Sequence, residues 1–157
     1  PRGREQWLRL MSLLTVVVLR SYGGVIMSFP WKTGAWAWIA ALCVVGGKCI
    51  GGFASDRFGE VRSATVTLSA AAAALIFSAF PLPGALGLLL FNMSMPVTLY
   101  AARDILREGR ATAFGLLTLG LFLGMLPAFS GASGSGQDYA MICLISIMLI
   151  RVGVGKR

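Results

Sequence analysis

The chain of 157 residues predicts an all-α membrane protein with six transmembrane helices. Three observations carry that prediction. Hydrophobic residues make up 57% of the sequence and charged residues only 13%, about half the charged share of a soluble domain. The apolar runs approach the ~20 residues that a helix needs to cross a bilayer. These runs are apolar all round, whereas the strands of a transmembrane barrel would alternate with period two.

Taken in order, the first span is expected at about 7–29, where "FPWKTG" closes it; it is too long, and lacks the cleavage pattern, to be a signal peptide. The second, at 35–54, carries Gly47, Gly51 and Gly52, a small-xxx-small face for close helix approach, and gives way to "ASDRFGE". The third, at 62–80, ends in the turn "PLPG". The fourth, at 84–102, is locally polar and breakable: Asn92 and Ser94 stand among Met93, Met95 and Pro96, and Pro96 frees the carbonyl four residues back, that of Asn92. The fifth, at 111–129, holds Gly115, Gly120, Gly124 and Pro127, expected to pack closely and kink. The sixth, at 139–154, follows the flexible "SGASGSGQD".

Charge gives the orientation. Arg2, Arg4 and Arg9, then Arg57 and Arg62, then Arg103, Arg107 and Arg110, then Arg151, Lys156 and Arg157 fall on alternate ends of the spans, whereas the other side has Lys32 alone. By the positive-inside rule both termini are cytoplasmic, and the lipid bilayer is the first partner. The net charge of +8 is thereby accounted for without nucleic acid. Cys43, Cys49 and Cys143 lie in apolar runs and read as small hydrophobes. The sequence has no histidine. That removes Ser-His and Cys-His chemistry and His-ligated metals, and Ser130, Ser133 and Ser135 lie across the bilayer from Lys48, so an enzyme is not expected, nor any metal or cofactor.

The segment "GGFASDRFGEVR" stands out between two apolar runs. Gly59 suits a tight turn with positive φ, and Asp56 can meet Arg57, Arg62 or the positive end of a neighbouring helix. Gly52, Asp56, Arg57, Gly59 and Arg62, with this spacing on the second connection, resemble motif A of the major facilitator superfamily. Val61 stands where that family commonly has a further basic residue. The resemblance implies a conformational latch formed by Asp56 and Arg57 across the boundary between the two halves of a transporter; an ordinary positive-inside loop with a turn glycine is the plainer alternative. The fifth run, with Gly120, Gly124 and Pro127, resembles the glycine-rich fifth or eleventh helix of the same family, although Met125 and Leu126 separate glycine from proline and no antiporter assignment follows. "YAARDILREGR" echoes the second connection, which extends the likeness to two three-helix units.

Six spans are half of the family's twelve. The basic stretch before Trp7 suits the end of a central cytoplasmic loop, hence a C-terminal half, and the chain is expected to be a fragment, one of two paired halves, or a half-size protein that forms a homodimer. Two basic residues fall inside spans. Arg20 is too far from either end to snorkel, and a central charge costs ~2.5–3.5 kcal/mol on insertion scales. It reads either as an anion-binding group on a water-filled cavity or as a structural arginine bonded to helix carbonyls or the "SYGG" neighbours. Lys48 either snorkels or lines the same path, and Asn92 either faces the cavity or bonds between helices. Trp31, Trp36 and Trp38 are expected as interfacial anchors rather than a ligand cage. No Asp or Glu lies inside a span, which favours a polar or anionic solute over a cationic one. The expectation is a secondary transporter, or half of one, in a plasma or bacterial inner membrane, with Arg20, Tyr22, Lys48 and Asn92 as solute ligands. The alternative is a non-transporting assembly protein that keeps the fold.

Overall fold

The computed structural model describes residues 2–106, 110–131 and 133–154. Arg107, Lys156 and Arg157, part of the charge asymmetry, lie outside the described residues. The fold is all-helical: α1 (Arg2–Ile26), α2 (Ala35–Phe58), α3 (Glu60–Ile76), α4 (Pro81–Asn92), α5 (Met95–Ile105), α6 (Arg110–Met125), a 3₁₀ turn (Leu126–Ser130) and α7 (Gly136–Val154). The fourth expected span is thus two helices in one stretch, Pro81–Ile105. It breaks at Met93 and Ser94 because Pro96 has no N–H for the Asn92 carbonyl; Ser94 instead donates its hydroxyl to the Phe91 carbonyl at 2.8 Å. Likewise α6 tightens into its 3₁₀ turn where Pro127 cannot donate.

The helix ends follow local chemistry. Gly59 joins α2 to α3 in a single residue with φ 86° and ψ 149°, a conformation essentially confined to glycine. Pro81 opens α4 at its first turn, where its missing N–H costs nothing. Ser135 and Asp138 form a capping box on α7: Asp138 Oδ2 accepts from the Ser135 backbone N–H at 2.7 Å and from its hydroxyl at 2.8 Å.

Glycines set the helix directions. Gly47 and Gly51 of α2 lie against Leu89 with Asn92, and against Met93, so α2 runs parallel to α4. Gly120 of α6 lies against Leu14 and Val17, and Gly124 against Val18 and Ser21, so α6 runs parallel to α1. Leu13 meets Gly153, and Gly23 meets Ile142, so α1 and α7 are antiparallel. Gly136, the first residue of α7, meets Leu75 and Ile76 at the end of α3, so these two are antiparallel as well. Gly87 of α4 also packs on Leu75, after the short turn that follows α3. Hence α1, α3 and α6 point one way, and α2, α4 with α5, and α7 the other.

The most extensive seams of this arrangement repeat, whereas among the described residues the α2–α3 seam has no counterpart of similar extent between α6 and α7. Counting α4 and α5 as one segment, exchange of segments one with four, two with five and three with six carries the α1–α6 seam onto α4–α2 and the α1–α7 seam onto α4–α3, and leaves α3–α7 on itself. The register agrees to the residue: the glycine partners Leu14, Val17 and Val18 correspond to Leu89, Asn92 and Met93, each 75 positions on (14 to 89, 17 to 92, 18 to 93). The two three-helix units run up-down-up and down-up-down, so their topology is inverted.

The main core joins α1, α3, α4 and α7 around Val16, Leu68, Leu75 and Ile150, and a smaller one joins Leu13, Val17, Ala101, Ala102 and Leu117. The outside is apolar: Trp38, Leu42, Phe53, Phe114, Phe122 and Met148 are exposed. Four segments, Arg4–Ile26, Ala35–Phe58, Pro81–Ile105 and Gly136–Val154, are long and apolar enough to cross a membrane. At 17 and 16 residues, α3 and α6 are shorter.

Trp31 corrects the expectation of an interfacial anchor. It is buried, stacked on Phe29 with centroids 5.1 Å apart, edge-on to Trp36, and its indole N–H donates to the Ser78 carbonyl at 2.8 Å. Trp38 remains exposed. Cys49 is exposed too, whereas Cys143 is buried and Cys43 half-buried.

Candidate functional site

The one-residue joint at Gly59 turns the end of α2 back along α3 and opens a groove against α5. Its cavity is about 840 Å³, and Gly52, Asp56, Gly59 and Arg62 of the predicted motif line it. Glu60 and Val61 complete that wall; Pro96, Leu99, Tyr100 and Arg103 come from α5, and Val154 from the end of α7. Two carboxylates and two guanidiniums therefore share one mouth. Asp56, Arg62 and Arg103 are exposed, so these charges keep much of their hydration and can exchange partners at low cost. Below them the Ser55 hydroxyl is buried without a hydrogen-bond partner.

Within the motif the glycines divide their work differently from the expectation. A Cβ on Gly52 would meet nothing within 4 Å, so Gly52 opens onto the groove and takes no part in close helix approach. Gly51 and Gly47 make that approach. Arg57 is exposed and does not line the groove. Gly120 and Gly124 pack on α1 as described, and Pro127 sits in the 3₁₀ turn.

The four expected solute ligands separate into pairs. Asn92 lies against Gly47, the neighbour of Lys48, in the α2–α4 seam, and its Nδ2 donates to the Leu88 carbonyl at 2.8 Å. Lys48 itself is exposed on α2. Tyr22 is half-buried, with its backbone beside Gly124 in the α1–α6 seam. Arg20 is only 9% exposed and lies inside the bundle; its Nε and Nη1 have no hydrogen-bond partner. The sequence left open whether Arg20 lines a water-filled cavity or is structural. The chain's own helices cover it.

Sequence reading missed Tyr100 and Arg103 as groove residues, having counted Arg103 only toward orientation. The echo of the second connection in "YAARDILREGR" was the available signal, because it places an arginine on the same end of the bundle as Arg62. Comparison with protein-family models, with curated proteins and with solved structures gives no match for this chain.

Proposed function

We propose that the chain is one six-span bundle of a secondary transporter of the major facilitator type, placed in the cell membrane with both termini cytoplasmic. It moves a small polar or anionic solute by alternating access, together with a second bundle. The observation that carries this reading is the inverted repeat, because two inverted three-helix units are the building plan of such bundles. In this reading α3 and α6 also span; at roughly 25 Å each they are accommodated by local thinning of the hydrocarbon core and by snorkelling of the residues that flank them. Asp56, Arg62 and Arg103 then form an exchangeable latch at the cytoplasmic mouth, with Arg57 free to pair beyond the bundle.

Lys48 supports a second bundle. It stands six residues before residue 54, where the second span is expected to end, roughly 9 Å by helical rise, a distance its stem covers only in part. Val45, one turn before it, is exposed as well, and of α2 only Ala40, Gly47 and Gly51 are buried in the chain itself. A partner or an aqueous path over this face accommodates the ammonium, whereas lipid does not.

Single cysteines at Ala41 and Val45, both exposed, in a Cys-free background test this reading in native membranes. Cross-linking to a second copy or to a separately encoded bundle is expected, together with swelling of proteoliposomes in isotonic solutions of small organic acids faster than protein-free controls. A species that stays monomeric and passes no solute removes the reading. Cross-linking without flux selects the second reading, a non-transporting assembly protein, which the interior placement of Arg20 favours.

A further inference from the structure

We infer that the seam between α1 and α7 holds a small monovalent inorganic anion of halide size, bound by Arg20 and Ser146. On α1, Leu13, Val16, Arg20 and Gly23 follow spacings of three, four and three, one stripe of an α-helix; on α7, Ile142, Ser146, Leu149 and Gly153 follow four, three and four. The ends of these stripes touch, Leu13 at Gly153 and Gly23 at Ile142. Because the helices are antiparallel, the step of three back from Gly23 and the step of four forward from Ile142 bring Arg20 and Ser146 to one level on facing stripes.

Both residues are buried, at 9% and 2% exposure, and both hold polar atoms without a partner: Nε and Nη1 of Arg20 and Oγ of Ser146. All three can donate a hydrogen bond, and the guanidinium is always charged. What completes them must accept hydrogen bonds and carry negative charge. Among the described residues no such group lies nearby, since Glu5, Asp56, Glu60, Asp104 and Asp138 all lie at or near helix ends. Burial excludes a bulky solute, and a single guanidinium balances a single negative charge. The site therefore differs from the solute path: it is internal to one bundle and serves to neutralise Arg20 in place. It shares with the proposed function only the membrane setting.

Thermal unfolding of the purified full chain in detergent, at fixed ionic strength, tests the inference without a partner bundle or any transport. Exchange of gluconate for chloride or bromide should raise the wild-type midpoint by several degrees in a saturable manner. Ser146→Ala should raise the half-saturating chloride concentration about tenfold, the loss of one hydrogen bond to a charged group. Arg20→Met should abolish the halide response, whereas Lys48→Met should retain it. A wild-type midpoint that is the same in all three anions overturns the inference and assigns Arg20 to helix carbonyls or water. A response that survives undiminished in Arg20→Met overturns it as well. Should Arg20→Met fail to accumulate, the wild-type titration and Ser146→Ala decide. Because flux is not measured, this outcome is independent of whether the chain transports.

Discussion

Gly51 lies directly against the backbone of Met93, the residue at which the fourth segment breaks. Gly52, the next residue, faces open space. Gly51→Ala should therefore destabilise the bundle by ~1–3 kcal/mol, because a methyl group would press on backbone that cannot rotate away. Gly52→Ala should be neutral or stabilise by up to ~1 kcal/mol through helix propensity. Unfolding midpoints in mild detergent compare the pair, and equal effects would break the assigned register.

The repeat extends this contrast to the second unit. Gly124 meets the Val18 carbonyl and Ser21, whereas Gly115 meets nothing within 4 Å. Gly124→Ala should cost about as much as Gly51→Ala, and Gly115→Ala should cost nothing. A harmless Gly124→Ala would contradict the inverted repeat.

Gly59 supplies a different kind of test. A Cβ there has free space, yet its φ of 86° is closed to other residues. Gly59→Ala should cost ~1–3 kcal/mol through backbone strain alone. It should also disturb the proposed latch of Asp56, Arg62 and Arg103, read as altered reactivity of a cysteine at Arg57. Unchanged stability would mean that the joint has another accessible conformation.

At the opposite end, the Tyr139 hydroxyl lies 2.9 Å from the Ile26 carbonyl and 2.8 Å from that of Gly134. It has one proton to donate, and the Gly134 N–H also reaches Ile26. Tyr139→Phe should thus cost only ~0.5–1.5 kcal/mol, while Tyr139→Ala, which also removes the ring packed edge-on against Phe29, should cost ~3–5 kcal/mol.

Orientation is tested by impermeant thiol labelling of intact cells. A cysteine replacing exposed Thr33 should react from outside, and one replacing exposed Arg57 only after permeabilisation. The reverse pattern would invert the proposed topology.

What sequence revealed was whatever has a local cause. Gly59 announced a positive-φ turn, Pro96 a break two residues before itself, and the four-residue spacing of Gly47 and Gly51 a packed face. Each follows from the backbone of a few neighbouring residues. Trp31 was misjudged because its indole finds Ser78, a partner across the fold that no hydropathy pattern marks. The side that Arg20 faces depends on α7, far along the chain. Tyr100 and Arg103 escaped notice as groove residues because only the turn at Gly59 brings the end of α2 opposite them.

The seams of the repeat also dictate an order of events during synthesis. Ser21 donates to the Leu121 carbonyl 100 residues later, and Tyr139 reaches back 113 residues to Ile26. At ribosomal speeds of ~5–20 residues per second, α1 waits roughly 5–25 s for the helices that cover it. Throughout that interval the guanidinium of Arg20 lacks α7 beside it. The nascent first unit therefore stays incompletely packed until its inverted counterpart emerges, and truncation before α7 should yield a polypeptide that is degraded before it can fold.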